Sequence, residues 1–231
     1  MIKPIFDPES ISIEDWTGEQ AVVPGQLTPQ WLRQRFAAPP PWLPEVSNEH
    51  LMRQRINELG LPMRACGEFT RASVLLPIVV REQGLTMLLT QRTANLTDHP
   101  GQISLPGGRA EPEDASPVDT ALRETEEEVG LARAHIEVIG SLPQYFTVTG
   151  YCIDPVVALV FPPFALRADP DEVAEIFEVP LAFLLDGGNH QRRSGEMGGQ
   201  RRSFYAMPYE RFFIWGATAH ILRNLFHFLR A

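Results

Sequence analysis

Cysteine is scarce: the 231-residue chain has two, Cys66 and Cys152, far apart and outside any CxxC pair. That argues against a disulfide framework and against a cysteine-built zinc site. No run of about eighteen apolar residues occurs, and the Met1 end lacks a basic-then-apolar leader. No membrane span is expected, and a cytoplasmic protein is. Positive charge is also in short supply. Lys and Arg number 20 against 29 Asp and Glu, a formal net charge of −9, which speaks against nucleic-acid wrapping because phosphate contacts need a basic stripe. For a small anionic substrate the same balance is an obstacle, so bound cations and local arginines would have to supply the attraction. The remainder, 44% hydrophobic and 21% charged, suits one sizeable domain with an extension.

The most informative stretch is 106–131, PGGRAEPEDASPVDTALRETEEEVGL. Ser116 is placed to cap a helix whose first turn holds Pro117, and Gly130 is a natural stop. Between them Val118, Ala121, Leu122, Thr125 and Val129 recur at three- and four-residue intervals and predict one buried stripe. Glu124, Glu127 and Glu128 stand at i, i+3 and i+4, which sets their side chains on one patch. The last turn reads Glu126-Glu127-Glu128, at the helix end where negative charge is least welcome. A hard divalent cation with oxygen ligands would offset that repulsion, and Arg123 can pair with one carboxylate. Charge runs are also the ordinary solvated face of a helix. Gly107-Gly108 upstream, with Glu111, Glu113 and Asp114 between, favours the metal and diphosphate site.

The stretch resembles the Nudix box, G-x5-E-x7-R-E-U-x-E-E-x-G-U with U apolar. Arg123-Glu124, Glu127-Glu128, Gly130 and Leu131 match their places, while Thr125 replaces an apolar residue. One inserted residue restores Gly108 and puts Asp114 in the acidic position. Upstream, LLTQRTANLTDHPGQISLPGG (88–108) resembles the signature of the coenzyme A pyrophosphatase branch, whose box carries the same extra residue. Thr93, Thr97 and Leu105 depart from that signature, and Thr97 stands where a basic residue is usual. The resemblance covers roughly residue 72 to the C-terminus and implies a Nudix-type α/β/α sandwich with a mixed sheet, behind a helical N-terminal extension. The expected division is 1–68 for the extension and 69–231 for the Nudix hydrolase domain.

Taken in order, the extension shows a short helix capped by Thr28, a stiff Pro39-Pro40-Pro41 segment and a second helix over about 48–59. Trp16, Trp31 and Trp42 would pack over the core or form a homodimer contact. Residues 72–80 form an almost continuous apolar run, as in a strand buried on both faces, with Pro77 suggesting an edge or bulge. Gly84 turns the chain into a second strand, 85–92, and 102–105 is a short strand delivering the Gly-rich turn. Further strands are expected at 136–141 and 156–161, with 147–151 as a pocket-lining loop; Tyr145 or Tyr151 would stack on adenine or simply join the core. Segment 186–202 reads as a mobile loop or hairpin turn carrying Arg192, Arg193, Arg201 and Arg202. Residues 204–215 suggest one final strand, and 216–229 a closing amphipathic helix on which His220 and His227 reflect packing.

The chemistry implied is metal-dependent hydrolysis of a diphosphate bond. Glu124 and Glu128, with Glu127 nearby, would hold Mg2+ or Mn2+. Arg123 orients a carboxylate, and Glu127 or Glu172 serves as general base. Gly107, Gly108, Arg92 and His99 are the expected substrate contacts, the glycines because no side chain keeps backbone from metal or phosphate. The resemblance implies cleavage of coenzyme A or its thioesters to 3',5'-ADP and (acyl-)4'-phosphopantetheine. Another nucleoside diphosphate derivative is the alternative within the class. A non-catalytic nucleotide-sensing module is the alternative outside it, and retention of the box carboxylates counts against that.

Overall fold

The computed structural model describes residues 7–45, 69–94, 100–147, 149–197 and 200–231. Its centre is a pair of long strands, β2 (Thr70–Arg81) and β8 (Tyr151–Val160), which run parallel from Thr70↔Tyr151 to Val79↔Val160. β1 (Ile13–Trp16) precedes them in the chain and belongs to a second sheet. The eight-stranded mixed sheet is completed by β3 (Gly84–Arg92), β4 (Ile103–Ser104), β5 (Gly107–Arg109), β6 (Ile136–Ser141), β7 (Tyr145–Phe146) and β9 (Val173–Pro180). Its main path is β4-β3-β2-β8-β6, with β5 on β2, β7 on β8 and β9 on β3.

The apolar runs in β2 and β8 follow from burial on both faces. Leu75, Val156 and Ala158 meet Ala121 of helix α2 (Pro117–Val129) on one side. Their neighbours Leu76, Val157 and Leu159 point the other way, into a larger core. That core includes Leu32 of helix α1 (Pro29–Ala37), Leu181 and Leu184 of the short helix α3 (Leu181–Leu184), and Leu222, Leu225 and Phe226 of helix α4 (Gly216–Arg230). Helices on both faces of a mixed sheet make the α/β/α sandwich. Truncating Phe226, fully buried, to Ala would cost about 3–5 kcal/mol.

Pro77 is not at an edge, since β2 lies between β3 and β8. It is tolerated because β2 changes partner there: Ala72–Val74 pair with β5 and Ile78–Arg81 with β3, so Pro77 falls in the seam where a missing N–H costs no ladder bond. The expected loop at 186–202 is instead largely strand. β10 (Gln191–Met197) pairs in register with β11 (Gln200–Tyr209), which turns at Glu210 (φ 51) into β12 (Phe212–Trp215). The single final strand expected over 204–215 is thus two strands. Strand β1 completes this second sheet, in the order β1-β10-β11-β12.

The N-terminal residues are tied in closely. Thr28 caps α1 by accepting from Trp31 N at 3.2 Å, and Val22 and Leu32 join the main core. Trp42 packs edge-on against Phe228 at 5.4 Å, whereas Trp16 on β1 is half exposed. The helix expected over 48–59 lies outside the described residues. Among the described residues, no helix is long and apolar enough to cross a membrane.

Candidate active site

The site is assembled where the β4–β5 turn meets α2. Ser116 Oγ accepts from Asp119 N at 3.2 Å to start α2, and Gly130 ends it in the left-handed region at φ 70. Beneath the helix, β5 is laid antiparallel on the start of β2, with Val74↔Gly107 and Ser73↔Gly108 opposed. This approach needs glycine. A Cβ on Gly107 (φ +148) would lie 2.3 Å from Ser73 O, and one on Gly108 would lie 2.4–2.6 Å from the Glu124 carboxylate atoms.

Glu128 faces inward, and its carboxylate accepts from Gly107 N at 3.1 Å. Burial pushes its pKa up to about 8, the Gly107 amide opposes that, and the charges of Glu172 and Glu124 add to it. Glu124 is also raised, by burial first, with Arg123 opposing and Glu127 and Glu172 reinforcing. Glu127 turns outward instead, its side chain 58% exposed, and pairs with Arg123 Nη1 at 2.9 Å. The three glutamates therefore do not converge equally: Glu124 and Glu128 line the interior and Glu127 the rim. In an ideal helix, i and i+4 share a face while i+3 lies to one side, and the packing of α2 on the sheet decides which members turn in.

Arg123 is the hub of this end. It donates Nε to Asp114 Oδ1 and Nη2 to Asp114 Oδ2, both at 3.0 Å, and Nη2 also reaches Arg109 O at 3.0 Å. Its Nη1 lies 3.1 Å from Glu124 Oε1. Asp114 further accepts from Glu111 N and Thr120 Oγ1, each at 2.9 Å. The Arg123 bonds first, then the Glu111 amide, hold its carboxyl far below the usual range.

Glu172 arrives from the other side. The chain after α2 returns along it, with Arg167 N donating to Val129 O and Asp169 N to Glu128 O, each at 2.9 Å. Glu172 then stands just before β9, its carbonyl accepting from Thr93 N at 2.9 Å. It lines the same cleft as Glu124 and Arg92, and among the described residues no donor engages its carboxylate. Glu175, on β9 itself, is held by Arg211. Arg92, at the end of β3, has a buried Nε with no hydrogen-bond partner among the described residues, and its charge opposes the rise at Glu128. His99 lies outside the described residues.

Of the basic cluster, Arg193 is nearly buried and is used structurally, donating to Glu9 O and Ile11 O at 2.7 and 2.8 Å. Arg192 is about half exposed and lines the cleft. The side chains of Arg201 and Arg202 fall outside the described set. The cleft encloses about 1330 Å³ and extends well past the carboxylates, onto Tyr145, Tyr205 and His220. Tyr205 and His220 were not singled out as site residues from the sequence, because nothing local connects β11 and α4 to the Gly-rich turn.

A model of the NUDIX domain family matches residues 69–195. The chain belongs to the Nudix family. It is accordingly a Nudix hydrolase, acting on diphosphate-type anhydrides. A relative from Escherichia coli (strain K12), "Uncharacterized Nudix hydrolase NudL", is 42% identical over 180 residues, covering 78% of this chain and 90% of its own length. The protein of the same name from Shigella boydii serotype 18 matches over the same span and at the same identity. Among solved structures, a Caenorhabditis elegans Ap4A hydrolase binary complex is 19% identical at a TM-score of 0.42, covering 48% of this chain and 80% of its own. The Nudix domain of Shewanella oneidensis NrtR complexed with ADP ribose is 21% identical at 0.40, covering 61% and 87%.

Nudix hydrolases generally use divalent metal ions, and the donor set here fits one. Glu124, Glu128 and Glu172 repel one another, two of them are pushed toward protonation by burial, and Gly108 leaves room beside the Glu124 oxygens that a Cβ would fill. Among the described residues no three His, Cys, Asp or Glu side chains come together as a ready-made ligand group.

Proposed function

We propose that this Nudix hydrolase cleaves the diphosphate of coenzyme A or its thioesters, giving 3',5'-ADP and (acyl-)4'-phosphopantetheine. The observation that carries this is the Gly107-Gly108 turn pressed against Glu124 and Glu128 at one end of a cleft with room for both halves of a two-headed diphosphate. The resemblance of 88–108 to the coenzyme A branch selects the substrate.

Glu124 and Glu128, with Glu127 and Glu172 close by, would hold Mg2+ or Mn2+, which when bound neutralises phosphate charge and acidifies water. Arg123, fixed by Asp114, keeps Glu124 and Glu127 oriented. Arg92 and the Gly107-Gly108 backbone take the anionic oxygens. Glu172 is the better general base, because Glu127 is engaged by Arg123 and, among the described residues, no donor engages the Glu172 carboxylate. Water adds to one phosphorus, its proton passes to the Glu172 carboxylate, and the bridging oxygen leaves with the other phosphate.

A turnover panel with Mg2+ or Mn2+ tests the assignment, with coenzyme A, acetyl-coenzyme A, ADP-ribose, a dinucleoside polyphosphate and an oxidised nucleoside triphosphate as substrates. Coenzyme A compounds should give the highest kcat/KM, with 3',5'-ADP recovered as one product. Preference for any other compound in the panel overturns the coenzyme A assignment and leaves the diphosphatase.

A further inference from the structure

The floor of the cleft continues away from the carboxylates along one row of the sheet. Arg109 is opposite Ala72, Ala72 opposite Ile153, and Ile153 opposite Tyr145, and all four line the cleft. Residues opposite one another in register share a face, and three strand steps of about 4.8 Å carry this floor roughly 14 Å from the Gly-rich turn. It ends on rings. His220 lies 4.8 Å from Tyr145 and 6.3 Å from Tyr205, centroid to centroid. Arg192 stands directly opposite Tyr205 across β10 and β11, so its half-exposed guanidinium shares the Tyr205 face.

This far wall is held in place. Glu45 Oε1 accepts from the Tyr205 hydroxyl at 3.3 Å, and Glu45 O lies 2.9 Å from His220 Nε2. Glu45 is in turn gripped by Arg223, only 3% exposed, whose Nη2 donates at 2.7 Å and whose guanidinium lies 4.2 Å from the Tyr205 centroid. Core packing alone does not call for partly buried rings that are anchored in this way and open onto a cleft.

We propose that Tyr145, His220 and Tyr205 are a stacking subsite for the planar base of the substrate's nucleotide half, and that Arg192 takes a phosphate on that half's ribose. The placement rests on the two-headed diphosphate substrate proposed above. Aromatic faces suit a base and offer little to a linear amide chain. A cation beside them separates a ribose-phosphorylated nucleotide from a plain one. The other half of the substrate then lies on the open side of the carboxylates. Glu45 is a positioning residue for two of the rings.

The test is calorimetric titration of the full-length protein, in Mg2+ buffer, with 3',5'-ADP, 5'-AMP and 4'-phosphopantetheine, none of which holds a diphosphate to cleave. We expect 3',5'-ADP to bind tightest. Tyr145→Ala should weaken both nucleotides about ten- to a hundredfold, Tyr145→Phe by little, and neither should alter 4'-phosphopantetheine. Arg192→Gln, at an exposed position that leaves folding intact, should erase the preference for 3',5'-ADP over 5'-AMP. Unchanged nucleotide binding in Tyr145→Ala, an unchanged preference in Arg192→Gln, or selective loss of 4'-phosphopantetheine would each overturn the subsite. Turnover is read separately: loss of nucleotide binding in a protein that cleaves no diphosphate keeps the subsite and removes the hydrolytic assignment.

Discussion

Arg123 and Asp114 meet through two parallel N–H···O bonds, both 3.0 Å long. The fork is what lets one guanidinium serve Asp114, Glu124, Glu127 and the Arg109 carbonyl together, and an ammonium cannot reproduce it. Arg123→Lys should lower kcat by about a hundredfold through misplacement of Glu124 while the far-UV spectrum stays native. A kcat within twofold of wild type would show that the fork is dispensable.

The two glycines of the turn should fail differently. Gly107→Ala places a Cβ against backbone at 2.3 Å in a conformation with φ +148, so the fold suffers, by several kcal/mol. For Gly108→Ala the nearest atoms are those of the Glu124 carboxylate, at 2.4–2.6 Å, the far end of a side chain that can swing aside. Its thermal midpoint should stay within a few degrees of wild type, while turnover drops by about a hundredfold. Equal losses of stability in the two variants would contradict the geometry.

Glu128→Gln keeps the shape of a nearly fully buried side chain and removes its charge. Turnover should fall by several orders of magnitude with the fold intact. Wild type should lose activity to a chelator and regain it with Mg2+ or Mn2+. At a metal concentration near a hundred times Kd, wild type should gain about 2.7 kcal/mol of stability, and Glu128→Gln should gain much less. Equal metal stabilisation in the two proteins would remove Glu128 from the metal site.

A pH dependence comes from the other side of the sheet. His190 is fully buried, with Nε2 at 2.9 Å from Leu184 O and Nδ1 at 3.1 Å from Arg223 Nη1. Arg223 can only donate, so Nδ1 is the acceptor and the ring is neutral. Burial lowers its pKa to about 4, Leu184 O opposes this, Arg223 and His227 assist, and Glu19 opposes. The unfolded chain takes up this proton near pH 6.5 and the folded chain only near 4, so stability falls as pH drops through that window, by at most about 3 kcal/mol. The Glu45 carboxyl adds its loss at lower pH: burial would raise its pKa, but bonds from His227 and Arg223 hold it far below the usual range. Chemical-denaturant midpoints measured from pH 7 to 4 should trace the first decline, and His190→Gln should flatten it.

Much of α2 was legible because its signals are local. Ser116, Pro117 and Gly130 punctuate the helix, and a period of 3.6 marks its stripe. The same pattern could not say that Glu128 turns in and Glu127 out, because that depends on the angle at which α2 lies on β2 and β5. Asp114 was recoverable only by allowing one inserted residue, and the fold sets it against Arg123 through two hydrogen bonds. Pro77 misled because a strand proline is normally an edge signal, whereas here a change of partner within one strand supplies the gap. The pairing of β10 with β1 was hidden for a different reason. Gly, Arg and Ser dominate 192–203 and carry no apolar alternation, so neither the hairpin of β10 with β11 nor the pairing of β1 with Gln191–Arg193 has a local signal.

Arg223 joins segments that lie far apart in the sequence. Its carboxylate partners, Glu19 and Glu45, belong to the N-terminal arm, and it sits on α4. Because α4 also supplies Phe226 to the large core, docking the arm and covering the long strands are one cooperative step, and neither is complete before α4 is in place.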